Sequence, residues 1–186
     1  MDVLYYFISS LLEHKLHERE HPVKRLDGDV IRQNLSQGLG FSREDRDTNV
    51  RRVGYVANLL SRNGVVVIVS LISPYRSVRD ELRSTLNNFV EVYINAPLEV
   101  CEARDVKGLH AKARSGQIKS FTGIDDPYEA PLTPDITCCT ASETVDESVA
   151  KIMTWLKNAD YLRETATHDL LKGDLALPPT SLIRDE

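Results

Sequence analysis

The run from Val65 to Leu71 (VVVIVSL) constrains this chain more than any other stretch. It is β-branched almost throughout and carries no polar alternation. A run of that kind reads as a strand buried on both faces, as in a parallel sheet covered by helices. Such a sheet needs helical crossovers, and the flanking sequence supplies them. Thr48 to Arg62 has Val53, Val56, Ala57 and Leu60 on one helical face and is stopped by Asn63-Gly64. Ser77 to Leu86 reads as the next helix, with Arg79 and Arg83 offset by Asp80 and Glu81 along its surface. Further strands are expected at Val23 to Leu26, Val90 to Ala96 and Ile136 to Cys139. Leu98 to Arg104 reads as a short helix opened by Pro97, and Thr144 to Lys157 as a closing helix with Val145, Val149, Ile152, Met153 and Leu156 inward. The expected architecture is therefore α/β, a three-layer parallel sheet flanked by helices with right-handed crossovers.

Asp105 to Pro134 departs from this alternation. It is polar, punctuated by glycine and too long for an ordinary connection, so it reads as a functional lid. Residues 1–158 are expected to form the domain, and residues 159–186 a peripheral tail.

Composition narrows the function. With 41% apolar and 27% charged residues, the chain has enough apolar surface to bury a core. Its 23 Lys+Arg against 28 Asp+Glu give a net charge of −5, which argues against nucleic acid as a partner. No apolar run approaches the ~20 residues that span a bilayer, so no membrane partner is expected. Met1 to Leu12 is apolar, but Asp2 stands where a signal peptide has basic residues. Cys101, Cys138 and Cys139 form neither a disulfide framework nor a zinc pattern. They read as reduced core thiols, which suits the cytoplasm.

Ligands of open α/β sheets bind beyond the carboxyl ends of the strands. The first strand runs into Asp27-Gly28-Asp29 with Arg32 three residues on, and the second into Ile72-Ser73-Pro74-Tyr75-Arg76. A carboxylate there can bind Mg²⁺ or take a proton from a hydroxyl, and an arginine can hold an anion with its planar fork. Arg46 and Asn49, three apart at a helix entrance, share a face and add a second anion site. Phe41 and the lid's Phe121 are two aromatics able to sandwich a purine, and Lys107 adds a lid cation. Taken singly, each has a plainer reading. Asp-Gly-Asp is a common turn, Arg46 suits a solvated surface, Phe41 and Phe121 suit a core, and Ser73 a helix cap.

Four long segments carry a resemblance. They are LDGDVIRQNLSQGLGFSREDRDTNVRRVGYVA, LLSRNGVVVIVSLISPYRSVRDELR, FVEVYINAPLEVCEARDVKGLHAKARSGQIKSFTGIDDPYEAP and the closing helix. From about Leu11 to Leu156 the chain resembles the adenylylsulfate kinase family of P-loop enzymes. The resemblance implies transfer of the γ-phosphoryl of ATP, with Mg²⁺, to the 3′-hydroxyl of adenosine 5′-phosphosulfate. The product would be the activated sulfate donor of sulfate assimilation. It implies that Asp29 lies near the accepting hydroxyl and the metal. Arg32, Arg46 and Asn49 would hold the phosphosulfate and ribose, and Phe41 and Phe121 would enclose the adenine. Ile72 and Ser73 would line the site, Ser73 being the position of a phosphoserine intermediate in some descriptions, although direct in-line transfer needs no covalent step. Lys107 and Thr122 would belong to the closing lid, and Arg104 would lie near the ATP adenine. A homodimer is a further implication.

One element of the family pattern is not found in the sequence. The phosphate-binding loop G-x-x-x-x-G-K-[ST] cradles phosphates with its backbone N–H groups and lysine. None of the 9 glycines is followed by lysine, and none precedes Gly28. Met1 to Ser10 (MDVLYYFISS) stands where the family's first strand and loop would be. Val3 to Ile8 can be read as a strand filling that slot or as an extension of the helix that follows. Three expectations stay open: a late-starting product of a kinase gene, a relative that binds adenylylsulfate without turnover, and a kinase that takes its loop from a partner chain.

Overall fold

A computed structural model describes residues 4–105 and 108–162. The first element is a helix, α1 (Leu4–His17), so the helical reading of the N-terminal segment holds over the described residues and the strand reading does not. Its buried residues Ile8, Leu12 and Leu16 recur every fourth position and form one stripe. That stripe packs on the closing helix α7 (Val145–Asn158) through Val149, Ile152 and Met153. The start of α7 is fixed by a capping box. The Thr144 hydroxyl accepts from the Glu147 N–H, and the Glu147 carboxylate accepts from the Thr144 N–H.

Four parallel strands follow the sequence expectations closely: β1 (Val23–Asp27), β2 (Val66–Ser70), β3 (Val92–Asn95) and β4 (Ile136–Cys139). They pair as β1–β2, with Val23 opposite Val66 and Asp27 opposite Ser70, and as β3–β4, with Val92 opposite Ile136 and Asn95 opposite Cys139. The two pairs are separate two-stranded sheets, where one continuous sheet was expected. Both lean on the same apolar core, which gathers Val66 and Ile68 from one pair and Val92, Ile94, Ile136 and Cys138 from the other. The split corrects the reading of VVVIVSL as a strand buried on both faces. β2 is only half-buried along most of its length, and Val69 is 42% exposed.

The connections carry the remaining helices: α2 (Gly28–Gln33), α3 (Arg43–Ser61), α4 (Arg76–Thr85), α5 (Leu98–Ala103) and α6 (Leu109–Arg114). α3 begins five residues before the periodic face expected from Thr48, because Ser42 caps it by accepting from the Asp45 N–H. Pro97 is the cap residue of α5 and not its first helical position. α6 lies inside the segment expected to be irregular. Its N-terminus is held by the Asp105 carboxylate, which accepts from the N–H groups of Leu109, His110 and Ala111. Arg79 and Arg83 are not balanced along their own helix. Both pair with Glu91 at the entrance to β3, at 2.8 and 3.2 Å, and Arg83 also pairs with Asp135 at 2.8 Å. Beyond α7, Leu162 joins the core and Tyr161 stacks on Trp155, so the first residues of the expected tail belong to the body. The rest of that tail, from residue 163, lies outside the described residues.

Candidate functional site

β1 and β2 end side by side, and the chain turns at each end. At the first turn Asp27 caps α2, its carboxylate accepting from the N–H groups of Asp29 and Val30. Gly28 suits the close approach made there. A β-carbon would come within 3.1 Å of Leu71 Cβ and 3.3 Å of the Ser70 carbonyl, because the turn lies directly against the end of β2. The close approach leaves the following residue, Asp29, on the exposed side.

The centre of the site is Phe41, 56% exposed, with two guanidinium groups beside it. Arg32 lies 4.5 Å and Arg46 5.5 Å from the centre of its ring. Arg32 donates to the carbonyls of Gly40 and Leu39, which fixes the approach to Phe41. Burial, and then the positive charge of Arg46, pull the pKa of Arg32 below its ordinary value, with Asp45 and Asp29 only partly offsetting the repulsion. Two like charges on one exposed aromatic make a place where an anion is favoured.

Arg46 is buried although charged. Its Nε donates to the Phe41 carbonyl at 2.9 Å, and its Nη2 reaches across the site to the Ser120 carbonyl at 2.6 Å. Of its five N–H groups, two are thus used on backbone oxygens that adjoin the two aromatic residues. Its Nε also lies 3.6 Å from the Asp126 carboxylate. Phe121 is half-buried, with its ring edge-on to the buried His110 at 5.0 Å. The Asp125 carboxylate accepts from the N–H groups of Ser120 and Phe121, and these bonds hold its pKa below the ordinary carboxylate value.

Asn49, buried one turn beyond Arg46, has a side-chain oxygen without a hydrogen-bond partner in the protein. The hydroxyls of Ser73 and Thr122 are buried and unpartnered in the same way. Buried polar atoms without a partner also occur elsewhere among the described residues, as at Ser36 and Ser70, so these three do not by themselves mark the site. Ile72 is half-buried beside Ser73. Arg104 donates to the Thr140 carbonyl at 2.9 Å, which ties it to the end of β4. Lys107 lies outside the described residues.

The structure therefore brings Arg32, Phe41, Arg46 and the Phe121 loop together, and places Arg104 at the other strand pair. Sequence reasoning missed three residues that fasten the site. Tyr75, 1% exposed, bonds to Asp126. The buried Arg79 holds the carbonyls of Ser73 and Glu129. The one available signal was their placement, Tyr75 just after a strand end and Asp126 within the lid.

Among the described residues no group of three or more His, Cys, Asp or Glu is placed to hold a metal ion. Mg²⁺ in phosphoryl-transfer sites is commonly bound by one or two carboxylates plus substrate phosphates. Asp29, exposed at the strand end, fits the role of a single carboxylate ligand of that kind. No helix among the described residues is long and apolar enough to cross a membrane.

Comparison with known proteins fits this geometry. Residues 6–139 match the profile of the adenylylsulphate kinase family. The chain is 64% identical over 155 residues to an adenylyl-sulfate kinase of Rippkaea orientalis, covering 83% of this chain and 86% of the relative. It is 60% identical over 156 residues to that of Gloeothece citriformis, covering 84% and 89%. Among solved structures, the Mycobacterium tuberculosis APS kinase CysC in complex with AMPPNP and APS superposes with a TM-score of 0.78 at 40% identity, covering 82% of this chain and 90% of that one. The chain belongs to the adenylylsulphate kinase family.

Proposed function

We propose that this chain binds adenosine 5′-phosphosulfate at the Phe41 site and acts as an adenylylsulfate kinase, moving the γ-phosphoryl of ATP to the substrate 3′-hydroxyl. The observation that carries the reading is the pairing of Arg32 and Arg46 on the exposed Phe41 ring, with Arg46 also fastened to Ser120 next to Phe121. An aromatic platform supplies sequence-tolerant stacking for a base, and the cations supply charge for a neighbouring anion.

In this reading Phe41 and Phe121 enclose the adenine. Arg32 and the remaining N–H groups of Arg46 face the phosphosulfate, and Asn49 contributes a hydrogen bond. Ile72 and Ser73 line the acceptor, and Thr122 and Lys107 belong to the closing lid. Asp29 orients the accepting hydroxyl, takes its proton as the new P–O bond forms, and is the one carboxylate offered to Mg²⁺. When bound, Mg²⁺ neutralises charge on the transferring phosphates. Ser73 needs no covalent role, since direct in-line transfer leaves it a lining residue. Arg104 remains the candidate contact for the ATP adenine. A homodimer is the assembly we infer, with sedimentation as its check.

A second reading is supported by one specific observation. The sequence holds no G-x-x-x-x-G-K-[ST] segment, and phosphoryl transfer depends on such a clamp for most of its electrostatic stabilisation. The second reading keeps the adenylylsulfate pocket and drops turnover. Two measurements separate the two. Titration calorimetry with adenosine 5′-phosphosulfate tests the pocket, and coupled detection of ADP with ATP and adenosine 5′-phosphosulfate tests catalysis. Binding with turnover supports the kinase, and binding without turnover supports the second reading. Absence of binding by a folded sample would sink both.

A further inference from the structure

Phe121 sits on a loop that the body must hold at the right distance from Phe41. The residues that hold it are not those that face the ring. Asp126 closes the loop on itself, its N–H donating to the Phe121 carbonyl and its carbonyl accepting from the Gly123 N–H at 2.7 Å. Its carboxylate then points back to the body. The Tyr75 hydroxyl donates to it, 2.9 Å from each oxygen, and the Arg46 Nε stands 3.6 Å away. Tyr75 is 1% exposed, and the Arg43 guanidinium lies 4.3 Å over its ring. It follows directly on Ser73-Pro74, so its hydroxyl ties the turn after β2 to the lid.

We propose that Tyr75 and Asp126 are positioning residues for adenylylsulfate recognition, a clasp that sets the Phe121 jaw against Phe41. The inference rests on the reading of that pair as the adenine site. A hydrogen bond to an ionised carboxylate is stronger than a neutral one and directional, so it suits a part that must return to one position each time a ligand leaves. The hydroxyl keeps its proton, because burial and the carboxylate both push the tyrosine above its ordinary pKa.

Tyr75→Phe removes the bond and keeps the ring under Arg43. It is expected to weaken adenosine 5′-phosphosulfate binding about tenfold by calorimetry. In a Phe121→Ala background the same substitution is expected to have almost no further effect, since the part it positions is gone. Tyr93→Phe, whose hydroxyl bonds to Asn95 at 3.2 Å, serves as the control and leaves binding unchanged. Unchanged affinity in Tyr75→Phe, or a tenfold loss that persists in the Phe121→Ala background, overturns the clasp. Hydrogen exchange gives a readout that needs no ligand. Tyr75→Phe is expected to speed exchange at the Phe121 and Gly123 amides and leave α7 unchanged. If the unaltered chain fails to bind adenylylsulfate, the functional reading falls. The exchange result then still decides whether Tyr75 holds the loop.

Discussion

The loops around Phe41 and the strands beneath them are held together by different means. Around Phe41, side chains reach backbone oxygens across the site. Arg32 holds Gly40, Arg46 holds Phe41 and Ser120, Arg76 holds Ala130, and Arg79 holds Glu129. In the strands, backbone pairs with backbone, among the described residues within two separate pairs. The residues around Phe41 are thus fastened by side chains and not by strand pairing. From α3 and α4 these side chains run to the lid, while Arg32 of α2 holds the connection that leads to Phe41.

Arg46 carries the most of this arrangement, so its removal is the hardest test. Arg46→Ala strands two carbonyls and leaves the Asp126 carboxylate without its buried cation. It is expected to cost about 3 kcal/mol of stability in denaturant unfolding and to abolish measurable adenylylsulfate binding. Arg43→Ala removes a guanidinium that is 58% exposed and lies over the Tyr75 ring, and should shift stability by no more than about 1 kcal/mol. Equal effects of the two would erase the distinction between buried fastener and surface charge.

Gly28→Ala probes a place where the two regions touch. The added methyl meets Leu71 Cβ and the Ser70 carbonyl, so either the turn or the end of β2 must move. Overpacking of this kind is expected to cost about 1–3 kcal/mol, with the loss seen both in unfolding and in the placement of Asp29. A neutral substitution would mean that the junction is slack.

The strand region should reveal its open sides by hydrogen exchange. In a parallel ladder successive N–H groups along a strand point to opposite sides. Val66 donates to Pro22 on the β1 side, and Ile136 and Thr140 donate to Glu91 and Asn95 on the β3 side. By alternation, Val67 and Val69 of β2, and Val92 and Ile94 of β3, point away from their ladder partners. Among the described residues no strand pairs with those sides. Their amides are expected to exchange faster than those of Val66, Ile68, Tyr93 and Asn95 by NMR. Uniform protection along either strand would show that its second side is covered.

These two regions were also unequally legible in the sequence. β4 and α7 follow from a short apolar run and an apolar helical face behind a capping threonine, which act over a few residues. Phe41, Arg32 and Arg46 were legible because they lie within fifteen positions on one turn-and-helix unit. The exposure of Val69 was not, because it depends on what lies beside β2 and not on β2 itself. α6 was hidden by Gly108, which breaks the pattern while Asp105 caps the helix from beyond it. Tyr75 and Asp126 are 51 residues apart, and no local periodicity records such a bond. Arg79 was misread for the same reason, its partner Glu91 being supplied by the next strand.

The smallest expected effect concerns Asp125, which shapes the lid from within. Its carboxylate accepts from the N–H groups of Phe121 and Ser120, and the first of these contributes most to holding its pKa below the ordinary 3.8. A depressed folded value means that the charged form is favoured by folding. Its contribution is therefore complete above the ordinary value and is lost as the pH falls through the depressed one. Lid order, read from exchange at Ser120 and Phe121, should be flat from neutral pH down to about pH 4 and fall only below it. Asp125→Asn should remove this acid-dependent step and loosen the same two amides modestly at neutral pH, with little change in α7. A step that survives in Asp125→Asn would place the acid-sensitive group elsewhere and leave the Phe121 turn held by its backbone bonds alone.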